Sequence, residues 1–319
     1  MDFFIFDYKQ HDYLVDSLLE ASAEAHKSPK KTKDWFYWKF KQNPFGKSIM
    51  ACAKDQDKIV GCVAYGKQDF ILNNKIIKGA ISFETFVHPS YQRKGVFSKL
   101  LNLAESRAKE INVDLFLNFP NSNSLKGFIN KGWKNINITE YWLKPKNLVK
   151  ILFKLNDLRQ TFIPNETNLK KLESMAEKTL VNNKRLKNTF ELVLDKEYLN
   201  WRFFTYPNAE YAIVENDSFY SLGRIGYRGD LKEVQVLFVN YKDLNTFKIK
   251  SVLRKYKEKT HYDLISFPIS DQNPLKKKIK KTGFIKVPNH TNMCYKILDK
   301  SLEINMAKLS LSAVNYHTY

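Results

Sequence analysis

The chain has no apolar run near the roughly 18 residues that a membrane-crossing helix needs, so no span is expected. Cysteine is scarce: Cys52, Cys62 and Cys294 are the three present, and no two form a Cys-x-x-Cys pair. That odd, scattered set fits neither a disulfide framework nor a zinc site. Reduced thiols and no bound metal are expected. The opening MDFFIFDYKQ lacks a basic leader and carries acids at Asp2 and Asp7, unlike a secretory signal. A cytoplasmic protein is the resulting expectation. Core material is not lacking, since apolar residues make up 43% of the chain and aromatics 14%, which argues against long disordered stretches.

Acids are outnumbered. The 53 Lys and Arg against 33 Asp and Glu give a formal net charge of +20. Such a surplus attracts nucleic acid, anionic lipid or a polyphosphorylated ligand. It is mostly lysine spread along the whole chain, however, as on a solvated surface. The densest cluster, Lys276-Lys277-Lys278 with Lys280 and Lys281, is interrupted by Ile279 and reads as a helix with an exposed basic face.

The sequence repeats itself. Trp38-Lys39-Phe40, then Pro44 and IMACAKDQDKIVGCVAYG, is echoed by Trp201-Arg202-Phe203, Pro207 and YAIVENDSFYSLGRIGY. Each passage reads as strand, polar turn, strand, with Asp55-Gln56-Asp57 or Glu215-Asn216-Asp217 at the turn. Farther on, DLFLNFPNSNSLKGFINKGWKNI from Asp114 is echoed by DLISFPISDQNPLKKKIKKTGFIKV from Asp263. Both predict a buried strand ending at Phe-Pro, a polar loop, a helix and a Gly-aromatic exit, Gly132-Trp133 or Gly283-Phe284. A repeat of this length implies a duplicated unit. The fold class expected is α/β, more narrowly α+β, with two mixed β-sheet domains flanked by helices, residues 1–146 and 147–319. The helix-like NLVKILFKLNDLRQTF connects them, and the tail after about Lys300 has no counterpart in the first half.

Chemistry concentrates in GAISFETFVHPSYQRKGVFSKLLNLAESRAKE. Gly79 to Val87 predicts a strand closed by His88-Pro89, and Tyr91-Gln92-Arg93-Lys94-Gly95 a basic turn. From Val96 the apolar residues Phe97, Leu100, Leu101, Ala104, Ala108 and Ile111 recur at helical spacing. A strand, a basic glycine turn and a helix N-terminus together suit a phosphate. Successive N–H groups point outward, the helix dipole favours an anion, and Gly95 lets the backbone approach closely. An exposed turn between a core strand and a core helix would read the same way.

The stretch resembles motif A of the GNAT superfamily of N-acetyltransferases, Gln/Arg-x-x-Gly-x-Gly/Ala after a Val-x-Pro strand end. Here the residues are Gln92, Gly95 and Phe97, preceded by Val87-His88-Pro89. Downstream, Asn121, Ser124, Gly127-Phe128 and Gly132-Trp133 fall in the order and at the intervals of the family's second motif. The likeness covers about Trp38 to Lys144. The corresponding turn of the second copy, VLFVNYKDLN, lacks the motif, so a second GNAT-like domain without coenzyme is expected.

The resemblance implies acetyl-CoA as cosubstrate and a small-molecule primary amine, an amino sugar for example, as acceptor. Strand-edge groups of Phe86, Val87 and His88 would pair with the pantetheine arm. Amides from Gln92 through Arg93, Lys94, Gly95, Val96 and Phe97 to Ser98 would hold the diphosphate, and Asn121 would touch the coenzyme unless it is simply a helix cap. Phe97 replaces a small residue and must point away from the phosphates. Phe128 stands where many members have a tyrosine, and it cannot donate a proton. Glu84 is the candidate base or water-positioning carboxylate, unless it pairs structurally with a lysine, and His88 is the alternative. Trp35, Phe36, Tyr37, Trp38 and Phe40 read mainly as core. Two further readings stay open: an aminoacyl transferase using charged tRNA, which suits the positive charge, and a degenerate binding module.

Overall fold

The computed structural model describes residues 1–146, 160–162, 190–205, 210–289 and 291–316. The connector helix expected over 147–162 lies outside the described residues except for Gln160–Phe162, and so does Pro207. Two units form: Met1–Asn137 with Thr291–Asn305, and Ile138–His290 with Met306–Tyr319. This differs from the expected cut after residue 146, because a strand just before that cut pairs in the second sheet.

In the first unit, β1 (Asp2–Ile5) precedes α1 (Val15–His26), α2 (Lys33–Phe36) and a π-type turn, Tyr37–Lys41. The antiparallel strands β2 (Ile49–Asp55), β3 (Lys58–Leu72) and β4 (Lys75–Val87) follow. Asn73 and Asn74, at φ 52° and 66°, turn β3 into β4, a geometry that asparagine tolerates. Next come α3 (Val96–Glu110), β5 (Leu115–Asn118) parallel to β4, α4 (Ser122–Ile129) and β6 (Lys134–Asn135). A strand from the far end of the chain, Cys294–Ile297, fits between β5 and β6 and is antiparallel to both. Helices cover both faces, which explains why Ile49 to Ala53 are all buried instead of alternating. Val96, Leu100, Leu101, Ala104 and Ala108 of α3 pack on one face, as their spacing predicts. Trp35, Phe36, Trp38 and Phe40 are buried in the core, with the Phe36 and Phe40 rings 4.8 Å apart.

The second unit takes β7 (Thr139–Pro145), β8 (Gln160–Phe162) and β9 (Phe190–Leu192), then the helix Lys196–Phe203. The antiparallel β10 (Tyr211–Asn216), β11 (Phe219–Arg228) and β12 (Leu231–Tyr241) lead through the helix Ile249–Lys259 to β13 (Leu264–Ser270), parallel to β12. The helix Lys276–Lys280 and β14 (Ile285–Val287) complete the echo. As predicted, that helix buries Ile279 and turns Lys277 and Lys280 to solvent. β13 overruns the expected stop at Phe267-Pro268, and Pro268 pairs with Tyr141 of β7. The returning strand Cys294–Ile297 is β15, and β16 (Leu309–Ser310) pairs with β9.

The two units share an order: three-stranded meander, helix, parallel strand, helix, short strand. Each takes its next strand from the other passage of chain, β15 beside β5 and β7 beside β13. Among the described residues no helix is long and apolar enough to cross a membrane, and no cluster of three or more metal-ligating side chains occurs.

Candidate active site

The site begins with an irregularity in β4. Cys62 pairs with Phe86 and Ala64 with Phe83, so Glu84 and Thr85 together face Val63 in a β-bulge. Glu84 sits at φ +47°, a strained backbone for a non-glycine residue that costs about 1–3 kcal/mol. Parallel pairing of β4 with β5 stops at Ile81 and Leu117, just before the bulge. From Ser82 to Val87, β4 has no strand partner on its β5 side among the described residues. The two strands splay.

The Glu84 carboxylate is held on the α1 side of the sheet. Lys39 Nζ donates to Oε1 and the Ser22 hydroxyl to Oε2, each at 3.4 Å. Lys39 itself is buried, with Nζ 5.0 Å from the centres of both the Trp35 and Phe83 rings. Two aromatic faces and one carboxylate therefore hold an ammonium that would otherwise be costly to bury. The lysine pairing weighed for Glu84 from sequence is thus present. It leaves the carboxyl one-fifth exposed, so contact with a ligand stays open.

Strand alternation sorts the expected coenzyme-edge residues. The His88 N–H donates to the Val60 carbonyl at 2.9 Å, so His88 and, two residues back, Phe86 turn their backbone groups toward β3. Val87 faces the splay, and its carbonyl accepts from Gln92 Nε2 at 3.0 Å. Of the three, only Val87 turns its backbone groups toward the splay. The His88 ring lies between its own turn and α1. Nδ1 accepts from the Ser90 N–H, and Nε2 is 2.9 Å from Glu24 Oε2.

The turn then opens. Arg93 at φ +61° and Gly95 at φ +77° bracket Lys94 and place the chain at the head of α3. Among the described residues, the amides of Arg93 through Ser98 have no protein acceptor, and the next one, Lys99, bonds to the Gly95 carbonyl. The last four, Gly95 to Ser98, are the donors that a helix start leaves unsatisfied, and Arg93 and Lys94 add two from the turn. Tyr91 anchors the turn by donating a 2.8 Å hydrogen bond to Asp55, and that bond raises the phenol's pKa above its ordinary value. Phe97 points away, as required. Its ring meets Phe128 edge-on at 5.3 Å and lies over Gly127, where an added Cβ would be 2.7 Å from it.

Asn121 caps α4, its Oδ1 accepting from the Ser124 N–H at 2.9 Å, so its side-chain oxygen is committed to the helix. Phe128 is buried against Phe97 and Trp133. Sequence reasoning missed Lys39 and Ser22. A lone cation inside the aromatic run Trp35–Phe40 was the available signal for Lys39, whereas Ser22 had none.

A family model described as an acetyltransferase (GNAT) domain matches residues 10–135. No curated protein matches the chain. Among solved structures, a GCN5-related N-acetyltransferase from Anabaena variabilis superposes with a TM-score of 0.63 at 9% identity, covering 93% of this chain and 73% of that one. Eis1 from Mycobacterium abscessus gives 0.60 at 10% identity, over 94% and 74%. A GCN5-related N-acetyltransferase from Kribbella flavida gives 0.54 at 11%, over 93% and 71%. At such identities these structures speak for the fold, which extends over both units. Residues 10–135 therefore match a GNAT acetyltransferase domain, and the fold of the chain is that of GCN5-related N-acetyltransferases.

Proposed function

We propose that the first unit binds an acyl-coenzyme A, acetyl-CoA in the simplest case, and transfers its acyl group to the primary amine of a small acceptor such as an amino sugar. The observation carrying this reading is the run of amides from Arg93 to Ser98 at the head of α3, unsatisfied among the described residues, beside a β4 edge that has no strand partner among them. A diphosphate matches the first feature by charge and hydrogen bonding, and the amide-bearing pantetheine arm matches the second.

The residues then divide the work. Arg93, Lys94 and the turn amides hold the phosphates, and Val87 offers main-chain groups to the arm. The thioester would lie in the splay near the Glu84 bulge, where unpaired β4 N–H groups can stabilise an oxyanion. Glu84 takes the acceptor's ammonium proton, directly or through a water, freeing the amine to attack the thioester carbonyl. Lys39 and Ser22 fix the carboxylate's direction. As the tetrahedral adduct collapses the C–S bond breaks, and because Phe128 has no proton to give, the thiolate takes one through water while the nitrogen sheds its own.

The aminoacyl-tRNA reading draws on a tandem-fold resemblance and the net charge. The binding-module reading draws on Phe97 and Phe128. Titration with acetyl-CoA tests the proposal, because binding to the native state raises the melting temperature. A saturable rise, abolished by Gly95→Asp, is expected. No shift at millimolar coenzyme would refute it, and a salt-sensitive gel shift with RNA in its place would favour an alternative.

A further inference from the structure

The second unit keeps the frame of a coenzyme slot. Leu222 pairs with Phe238 and Gly223 with Val236, which leaves Leu237 as a bulge on β12. Parallel pairing with β13 stops at Gln235 and Ser266, and beyond it the strands part. A turn then leads from Tyr241 to the helix Ile249–Lys259. Each feature has its counterpart in β4, β5 and α3.

Three things differ. Leu237 occupies the bulge where the first unit has Glu84 and Thr85. Two amides of the turn, ahead of the helix, already hold an anion. The Asn245 N–H donates to Asp243 Oδ1 at 3.1 Å, the Thr246 N–H to Oδ2 at 3.3 Å, and the Thr246 hydroxyl to Oδ2 at 3.1 Å. The gap between the strands, finally, contains a later segment of the chain, Leu309 to Val314. The Leu311 carbonyl accepts from the Ser270 N–H and from Asn273 Nδ2, both at 3.0 Å, and the Leu311 N–H donates to Ser270 Oγ at 2.8 Å. Ile269 and Ser312 form a bridge, and Leu311 and Ala313 are fully buried. A cavity of about 450 Å³ remains beside Leu311, between Val236 and Phe267, with Asp243 in its lining.

We propose that this second slot is liganded from within. The Asp243 carboxylate stands where a diphosphate would, and the segment from Leu309 to Val314 fills the splay that an extended coenzyme arm would enter. The remaining cavity leaves room, so phosphate is excluded by charge: an anion brought to these amides meets a carboxylate already there. The chain accordingly binds one coenzyme, at the first unit. This stoichiometry rests on the coenzyme reading above, whereas the closure of the second slot does not.

Calorimetric titration of the full chain with acetyl-CoA should give one site, and Gly95→Asp should give none. Two sites, or one surviving in Gly95→Asp, would overturn the inference while sparing the coenzyme reading. No site in the wild type would sink that reading and leave closure to a second measurement. In that measurement, inorganic pyrophosphate is titrated into Gly95→Asp with and without Asp243→Ala. Removing the carboxylate should tighten binding at least tenfold, and equal affinities would overturn the proposal. Should the alanine variant fail to fold, Asp243→Asn keeps the turn's hydrogen bonds and makes the same comparison with a smaller gain. Hydrogen exchange tests the tail directly: the Ser270 amide should be as protected as the core strands, and rapid exchange would show that Leu311 does not occupy the slot.

Discussion

At Gly95 backbone and charge can be separated. Its φ of +77° costs an alanine about 1–2 kcal/mol, and no atom lies within 4 Å of the added Cβ. Gly95→Ala should therefore lower stability by that amount in urea unfolding while keeping coenzyme affinity within a few-fold. Gly95→Asp should lose at least a hundredfold, and equal losses in the two would argue that bulk, not charge, governs the turn. Glu84 offers a second separation. Glu84→Gln keeps a side chain that Lys39 and Ser22 can still hold, so coenzyme affinity should survive while turnover falls about 100-fold, the low end for loss of a general base. An unchanged pH–rate profile would remove Glu84 from that role. Lys39→Met acts on the fold as well, because it strips the cation from a carboxylate already on strained backbone. The carboxyl's one-fifth exposure softens the loss. A destabilisation of up to about 3 kcal/mol is expected, the bottom of the range for fully buried pairs.

Elements with a strong local period were legible in the sequence, and those fixed by distant partners were not. α3 follows from Val96, Leu100, Leu101, Ala104 and Ala108, and the turn before it from Gly95 at its head. The bulge at Glu84 left no such trace, since two residues facing one is a property of the pair of strands. For the same reason, which of Phe86 and Val87 faces the splay could not be read from β4 alone. β15 was invisible as a first-unit strand because nothing in Cys294–Ile297 names β5. A side-chain tie now marks its place: Lys296 on β15 donates to Glu105 on α3 and to the Lys131 carbonyl. Burial pushes the Glu105 carboxyl up, but hydrogen bonds from Lys296 and Lys109 more than reverse this and hold it below its ordinary range. A carboxyl lowered in the folded state contributes stability that is present above its unfolded pKa and lost as pH falls through the folded one. Lys296→Met should cost about 1.5–3 kcal/mol at pH 7, as for a hydrogen bond to a charged group. The gap from wild type should narrow as pH drops from 5 toward 3. Denaturant unfolding across that range measures it, and a gap that widens in acid would contradict the assignment.

At the scale of the whole molecule, the two units share an order of elements, but they are not separable pieces of chain. One inner strand of each unit is supplied by the other passage, β15 between β5 and β6 in the first and β7 between β13 and β14 in the second. The first unit's core includes Cys294 and Leu298 among its buried members. A fragment ending at residue 146, the division that the repeat suggests, would lose both side chains and leave one edge of β5 bare. It would also carry β7, whose partners β13 and β14 are missing. An unpaired hydrophobic edge is a template for association, and the first unit's sheet cannot close its own. Fragment 1–146 should therefore lack a cooperative thermal transition and should aggregate, although it contains every residue of the matched acetyltransferase domain. Calorimetry of the fragment beside the full chain decides the point. A sharp transition near the full chain's own would mean that β15 is dispensable, and that the order of chain crossings carries no stability.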